Sequence, residues 1–133
     1  DVDVPGKDSW QHRQAGAQQV MVASGTRWAL MTELRSGPEP RLPELIARMD
    51  RVDLVIVEGF KRDAHPKLEV HRAANAKPWM HPDMPGIVAV ASDTPPPYDL
   101  PRAGLDEVEA IADLVLAGAR SFENIDWTAA ALA

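Results

Sequence analysis

The chain has 133 residues, 45% of them apolar, and carries 14 Lys+Arg against 20 Asp+Glu for a net charge of −6. That length suits one domain able to bury a core, and the acidic balance excludes the basic footprint that nonspecific nucleic-acid binding needs. No cysteine is present, which removes disulfides, thiolate metal sites and cysteine nucleophiles and fits a reducing compartment.

In chain order, Asp1-Val2-Asp3 offers neither the basic start nor the apolar stretch of a signal peptide. A short helix is expected over Ser9 to Ala15, capped by Asp8 and stopped by Gly16. Gln19–Ala23 and Trp28–Thr32 read as strands around a Ser24-Gly25-Thr26 hairpin loop; the stretch from Trp28 to Met31 is expected in the core. Leu42, Leu45, Ile46 and Met49 form one helical stripe, with Pro43 suited to a first helical position. Leu54-Val55-Ile56-Val57 and Ile87-Val88-Ala89-Val90-Ala91 are unalternated apolar runs, the pattern of parallel strands covered on both faces. Lys67 to Arg72 alternates, with Leu68 and Val70 facing one way and Lys67, Glu69 and His71 the other, the pattern of a half-exposed strand. Pro82, Pro85 and Pro95-Pro96-Pro97 mark loops. A last helix starts near Asp106, with Asp106 and Glu109 spaced as a capping box. No apolar run approaches the roughly 18 residues that cross a bilayer, so no membrane is expected as a partner. The order predicts an α/β fold with a mixed, mostly parallel sheet flanked by helices.

Open α/β sheets gather functional groups at the carboxyl ends of strands. One such end is Glu58-Gly59-Phe60-Lys61. A carboxylate there can hold a hydrated Mg2+, Gly59 lets the backbone turn or approach a ligand, and Lys61 brings positive charge to a phosphate. Ala91-Ser92-Asp93 is a second end. Asp93 can accept from the N1–H and amino group of guanine, or simply form an Asx turn ahead of the prolines. Asp1 to Ser9 is a third polar cluster, with Asp3 and Lys7 before a helix start. Gly6-Lys7 is not a P-loop: Asp1 stands where the motif needs its first Gly, and Asp8 where it needs Ser or Thr. His12, His65, His71 and His81 form no metal-binding spacing. His65 and His71 could line a ligand site with Lys67 and Glu69. No G-x-S-x-G elbow is present.

Taken in order, these segments resemble the molybdopterin-guanine dinucleotide biosynthesis protein B (MobB) family. The resemblance runs through Asp1–Ser9, Ala15-Gly16-Ala17, Arg27–Glu33, Val57–Lys61, His65-Pro66-Lys67 and Ala89–Asp93. It implies a P-loop NTPase-like fold over residues 1–120 that binds GTP and Mg2+, with residues 121–133 as a tail. It also implies a first βα unit carrying the P-loop, which this sequence does not contain. Implied partners are the nucleotidyltransferase that joins GMP to molybdopterin, molybdopterin or its guanine dinucleotide, and a second copy in a homodimer, all in the cytoplasm.

On this reading Asp3 and Glu58 contact the metal, while Lys7, Glu58, Gly59, Lys61 and Asp93 bind nucleotide. The family's enzymatic class is a weak GTPase, an activity not expected of a chain without a P-loop. Two other readings remain: a non-catalytic dimerising adaptor that delivers cofactor, and an enzyme acting on a pterin through the His65–His71 region.

Overall fold

The computed structural model describes residues 4–128 and divides into two compact units, Asp1–Arg41 and Leu42–Ala133.

The first unit is a helix and a hairpin. Helix α1 spans Asp8–Gln14. Asp8 is its first helical residue, and Lys7 occupies the cap position with no side-chain cap bond, so the expected Asp8 cap is not formed. Gly16 ends the helix as expected, at φ +103°, a conformation that glycine adopts without a Cβ penalty. Strands β1 (Gln19–Ala23) and β2 (Trp28–Thr32) pair antiparallel from Gln19 opposite Thr32 to Ala23 opposite Trp28. Their loop is tied by the Ser24 side chain, which accepts from the Thr26 and Arg27 amides and donates to the Arg27 carbonyl. Arg35 donates to the Gly16 and Ala17 carbonyls, and Arg13 pairs with Glu33 at 3.4 Å. Val20 is buried. Trp28 is not core, contrary to expectation: it is 67% exposed, on the same hairpin face as Met21 at 61% and Leu30.

The second unit holds a parallel sheet. Helix α2 is only Leu42–Ile46. Beyond it the Arg48 and Met49 amides bond to carbonyls three residues back, which tightens and ends the turn, and Met49 stays exposed. The Leu54–Val57 run is not a strand. An apolar run becomes a strand only when neighbours take up its N–H and C=O groups, and among the described residues none pairs with it. Ile56 is accordingly 80% exposed. The single mixed sheet expected from sequence is replaced by the separate hairpin and a three-stranded parallel sheet.

That sheet comprises β3 (Lys67–His71), β4 (Ile87–Ser92) and the short β5 (Arg102–Ala103), in the order β3-β4-β5. Central β4 supplies most of the core: Ile87, Ala89, Val90 and Ala91 are buried. Helix α3 (Val108–Gly118) packs on all three strands. Gly118 permits this approach, since a Cβ there would lie 3.0 Å from Val88 Cγ2. The Asp106–Glu109 box does not form. Glu107 is the cap residue, and its carboxylate instead accepts from the Gly104 amide at 2.6 Å.

On β3 the acid is covered and the neighbouring valine is not. Glu69 is 2% exposed and Val70 67%, because donors from two loops converge on Glu69. Past α3, the rings of Phe122 and Trp127 pack at 5.3 Å. Among the described residues no helix is long and apolar enough to cross a membrane.

Candidate functional site

Two sequence-predicted positions lie in the first unit. Asp3 falls outside the described residues. Lys7 sits exposed at the cap of α1, after Gly6 at φ +87°. It borders a groove between α1 and β1 that Val4, Ser9, His12, Val20 and Met21 also line.

The second unit holds the others. Glu58, Gly59 and Lys61 share one exposed turn. Gly59 (φ +87°) and Phe60 (φ +45°) are both left-handed, and the turn closes with the Asp63 amide on the Phe60 carbonyl at 3.1 Å. A left-handed non-glycine residue carries strain of about 1–2 kcal/mol, here at Phe60 between the two charged groups. No atom lies within 4 Å of a Cβ built on Gly59, so a ligand could approach this backbone. Among the described residues Glu58 and Lys61 make no hydrogen bond or ion pair. The turn therefore presents a solvated carboxylate and ammonium, a donor set that fits a hydrated cation and its phosphate. Among the described residues, no group of three or more His, Asp or Glu side chains could hold a metal by itself.

Asp93 directly follows β4. Its Oδ1 accepts from the Ala73 amide at 2.9 Å, which fixes the carboxylate at the strand's carboxyl end, and Oδ2 has no partner among the described residues. The bond reaches a different loop and is not a local Asx turn. A carboxylate has about four acceptor positions, so Asp93 keeps the capacity to read two donors of a base.

Lys67 has a structural task. Its ammonium donates to the carbonyls of Asp63, His65 and Pro85. Gly86, at φ +85°, clears this knot: a Cβ there would lie 3.0 Å from the His65 oxygen and from Lys67 Nζ. Burial lowers the Lys67 pKa from the ordinary lysine range, opposed by the charge of Asp63. Burial, then the Lys67 charge, also lowers the pKa of His65, again against Asp63; its Nδ1 is buried without a hydrogen-bond partner.

The largest feature that sequence reading missed is centred on Glu69. Its carboxylate accepts from the Met80 amide at 2.7 Å, the His81 amide at 3.2 Å and the Tyr98 hydroxyl at 3.0 Å. Above it lies a run of rings. His71 stacks on Trp79 with centroids 3.6 Å apart and planes at 14°, Trp79 and Tyr98 meet nearly perpendicular at 79°, and Tyr98 contacts His81. His71 Nε2 lies 3.1 Å from the Lys77 carbonyl, so Nε2 carries the proton and donates. Burial, then Glu69's hydrogen bond and charge, push Tyr98 up to about 12. The sequence did hold one signal: acid and histidine alternate on β3, and a Trp lies in the loop that follows. The donors, however, come from residues 11 to 29 positions away.

Comparison with known proteins adds to this geometry. The family model described as molybdopterin guanine dinucleotide synthesis protein B matches residues 1–93. An Escherichia coli (strain K12) protein named molybdopterin-guanine dinucleotide biosynthesis adapter protein is 44% identical over 119 residues, covering 87% of this chain and 68% of that protein. A protein of the same name from Haemophilus influenzae (strain Rd) is 40% identical over 117 residues, covering 86% of this chain and 64% of that protein. This chain thus spans about two thirds of the length of these relatives.

Proposed function

Because the chain belongs to the molybdopterin guanine dinucleotide synthesis protein B family, we propose that it is an accessory protein of molybdenum-cofactor maturation. In this reading it binds GTP with Mg2+ in the cytoplasm and assists the nucleotidyltransferase that joins GMP to molybdopterin. The observation that supports it best is Asp93, held at the carboxyl end of β4 by the Ala73 amide with Oδ2 still open. Its carboxylate accepts from guanine N1–H and the amino group. Glu58 holds Mg2+ through water, Lys61 faces phosphate oxygens, and Gly59 lets a phosphate approach the backbone. Gly6-Lys7 lacks the P-loop pattern, so within a P-loop NTPase-like fold it is not assigned the role of triphosphate cradle. Hydrolysis is not assigned to it.

Calorimetry with GTP and Mg2+ tests this reading. Asp93→Asn is expected to weaken GTP binding about tenfold while leaving ATP unaffected, and Glu58→Ala to remove the Mg2+ dependence. Undetectable heat for the parent protein, or identical isotherms for all three, would overturn it.

One observation favours a dimerising adaptor as a companion reading. Between Gln18 and Thr32 the sole charged residue is Arg27, on a chain of net charge −6, and this hairpin exposes Met21, Trp28 and Leu30. Two acidic copies meet with least repulsion where charge is absent. A two-fold contact between hairpin faces would cover all three side chains.

A further inference from the structure

The ring cluster on β3 lies at the same carboxyl end of the sheet as Asp93. Register places His71 opposite Ser92, the residue before Asp93, and the Asp93 carboxylate reaches Ala73, two residues beyond His71. Trp79, stacked on His71, therefore belongs to the same corner of the second unit. It is an unusual loop tryptophan. The loop around it is pinned from below by two consecutive amides, Met80 and His81, on buried Glu69. One ring face is fixed by His71, and Tyr98 stands nearly perpendicular to the indole with centroids 5.7 Å apart, yet the residue keeps part of its surface in solvent. Packing alone would not require an indole partly in solvent to be held by His71, by Tyr98 and by a loop anchored on Glu69. A flat platform for a planar ring does, because stacking on a preset surface loses little side-chain freedom on binding.

We propose that Trp79 is a ligand-stacking residue, and that with Asp93 it forms a site for a 2-amino-4-oxopyrimidine ring. Guanine and pterin share that ring edge: a ring N–H beside an exocyclic amino group, two donors side by side that suit one carboxylate. Trp79 supplies affinity without discriminating between rings, and Asp93 supplies the choice against adenine, whose edge offers a different donor pattern. Glu69 and Tyr98 are positioning residues that hold the platform. The inference rests on the guanine-reading role of Asp93 and adds to it the stacking partner and the wider ligand class.

Equilibrium dialysis of the full chain with GTP, neopterin and ATP tests it, using the parent protein, Trp79→Leu, Trp79→Phe and Asp93→Asn. Trp79→Leu is expected to weaken GTP and neopterin together, by roughly tenfold to a hundredfold. Trp79→Phe keeps a ring and should stay within severalfold of the parent. Asp93→Asn should lose preference over ATP. On the unaltered protein, the Trp79 indole N–H resonance, one of four such signals, should shift on adding either ligand, which gives a readout independent of how the variants fold. Loss in Asp93→Asn with unchanged binding in Trp79→Leu and an unmoved indole signal would overturn the platform and leave the guanine reading standing. Neopterin binding without GTP binding would uphold the site and remove the nucleotide. ATP binding as tight as GTP binding, or no binding of any ligand at millimolar concentration, would overturn both.

Discussion

At the scale of single residues, the polar groups of the second unit divide into those already used and those left open. Glu69 and Lys67 are spent on backbone amides and carbonyls, whereas Glu58 and Lys61 are not. Tyr98 gives a direct check, because it is the chain's sole tyrosine and tyrosinate absorbance reports it alone. The folded protein is expected to titrate near 12, and Glu69→Gln should lower that midpoint only partly, since burial is the larger cause. The linkage follows: the unfolded chain releases this proton near 10 and the native one later, so stability falls as pH rises from about 10 to 12. His65 acts at the acid end. Its folded pKa lies below the ordinary 6.5, so in the interval between them the unfolded chain binds more protons. Stability should fall as pH drops below about 6.5 and level off beneath the folded pKa. Urea midpoints at pH 5 and 7.5, compared with those of His65→Gln, would show whether this residue supplies part of the slope.

At the scale of elements, the sequence was most legible where the pattern is local. The hairpin strands and β4 fall where alternation, β-branching and turn residues put them, and Gly16 ends α1 as its position suggests. Legibility failed where a distant partner decides. Leu54–Val57 has the composition of a buried strand but no ladder among the described residues, and β5 is too short to leave a pattern. Glu69 on β3 turned inward because Met80, His81 and Tyr98 deliver donors to it, which no property of Lys67–His71 discloses. The candidate site divides the same way. Asp93 was reached from a strand end that the structure forms, Glu58, Gly59 and Lys61 from a Leu54–Val57 strand that it does not form, and Trp79 was not reached, since its place depends on Glu69 and His71. Paired substitutions test the contrast between the two apolar runs. Val90→Ala in β4 should cost about 2 kcal/mol through loss of buried contacts, while Ile56→Thr should change stability by less than about 0.5 kcal/mol. Chemical denaturation of both variants would read this, and a large loss at Ile56 would show that the segment is buried in solution.

At the scale of the molecule, charge and apolar surface are unevenly shared. The net charge of −6 keeps copies apart everywhere except at a surface nearly free of ions, and the hairpin is such a surface. A two-stranded hairpin is marginal by itself in water, and with Val20 the one buried apolar side chain among the described residues of its unit it gains from being covered. Light scattering at micromolar concentration is expected to show a dimer, and Trp28→Glu to return it to monomer, since a carboxylate at each of two facing positions adds both desolvation and repulsion. A parent protein that stays monomeric would remove the hairpin as a contact.

The parallel sheet has one further consequence, for the order in which the chain folds. Parallel neighbours commonly need a long helical crossover between them. Here the register joins Leu68 to Ala89 and Val90 to Arg102, across stretches that hold only a three-residue 3-10 turn and a proline-rich loop. Closing such short loops takes little chain entropy, so the strands can find one another before distant segments arrive. The corner that carries Trp79 and Asp93 is thus built on strands joined over short stretches of chain. It can be assembled early, with α3 closing over it afterwards.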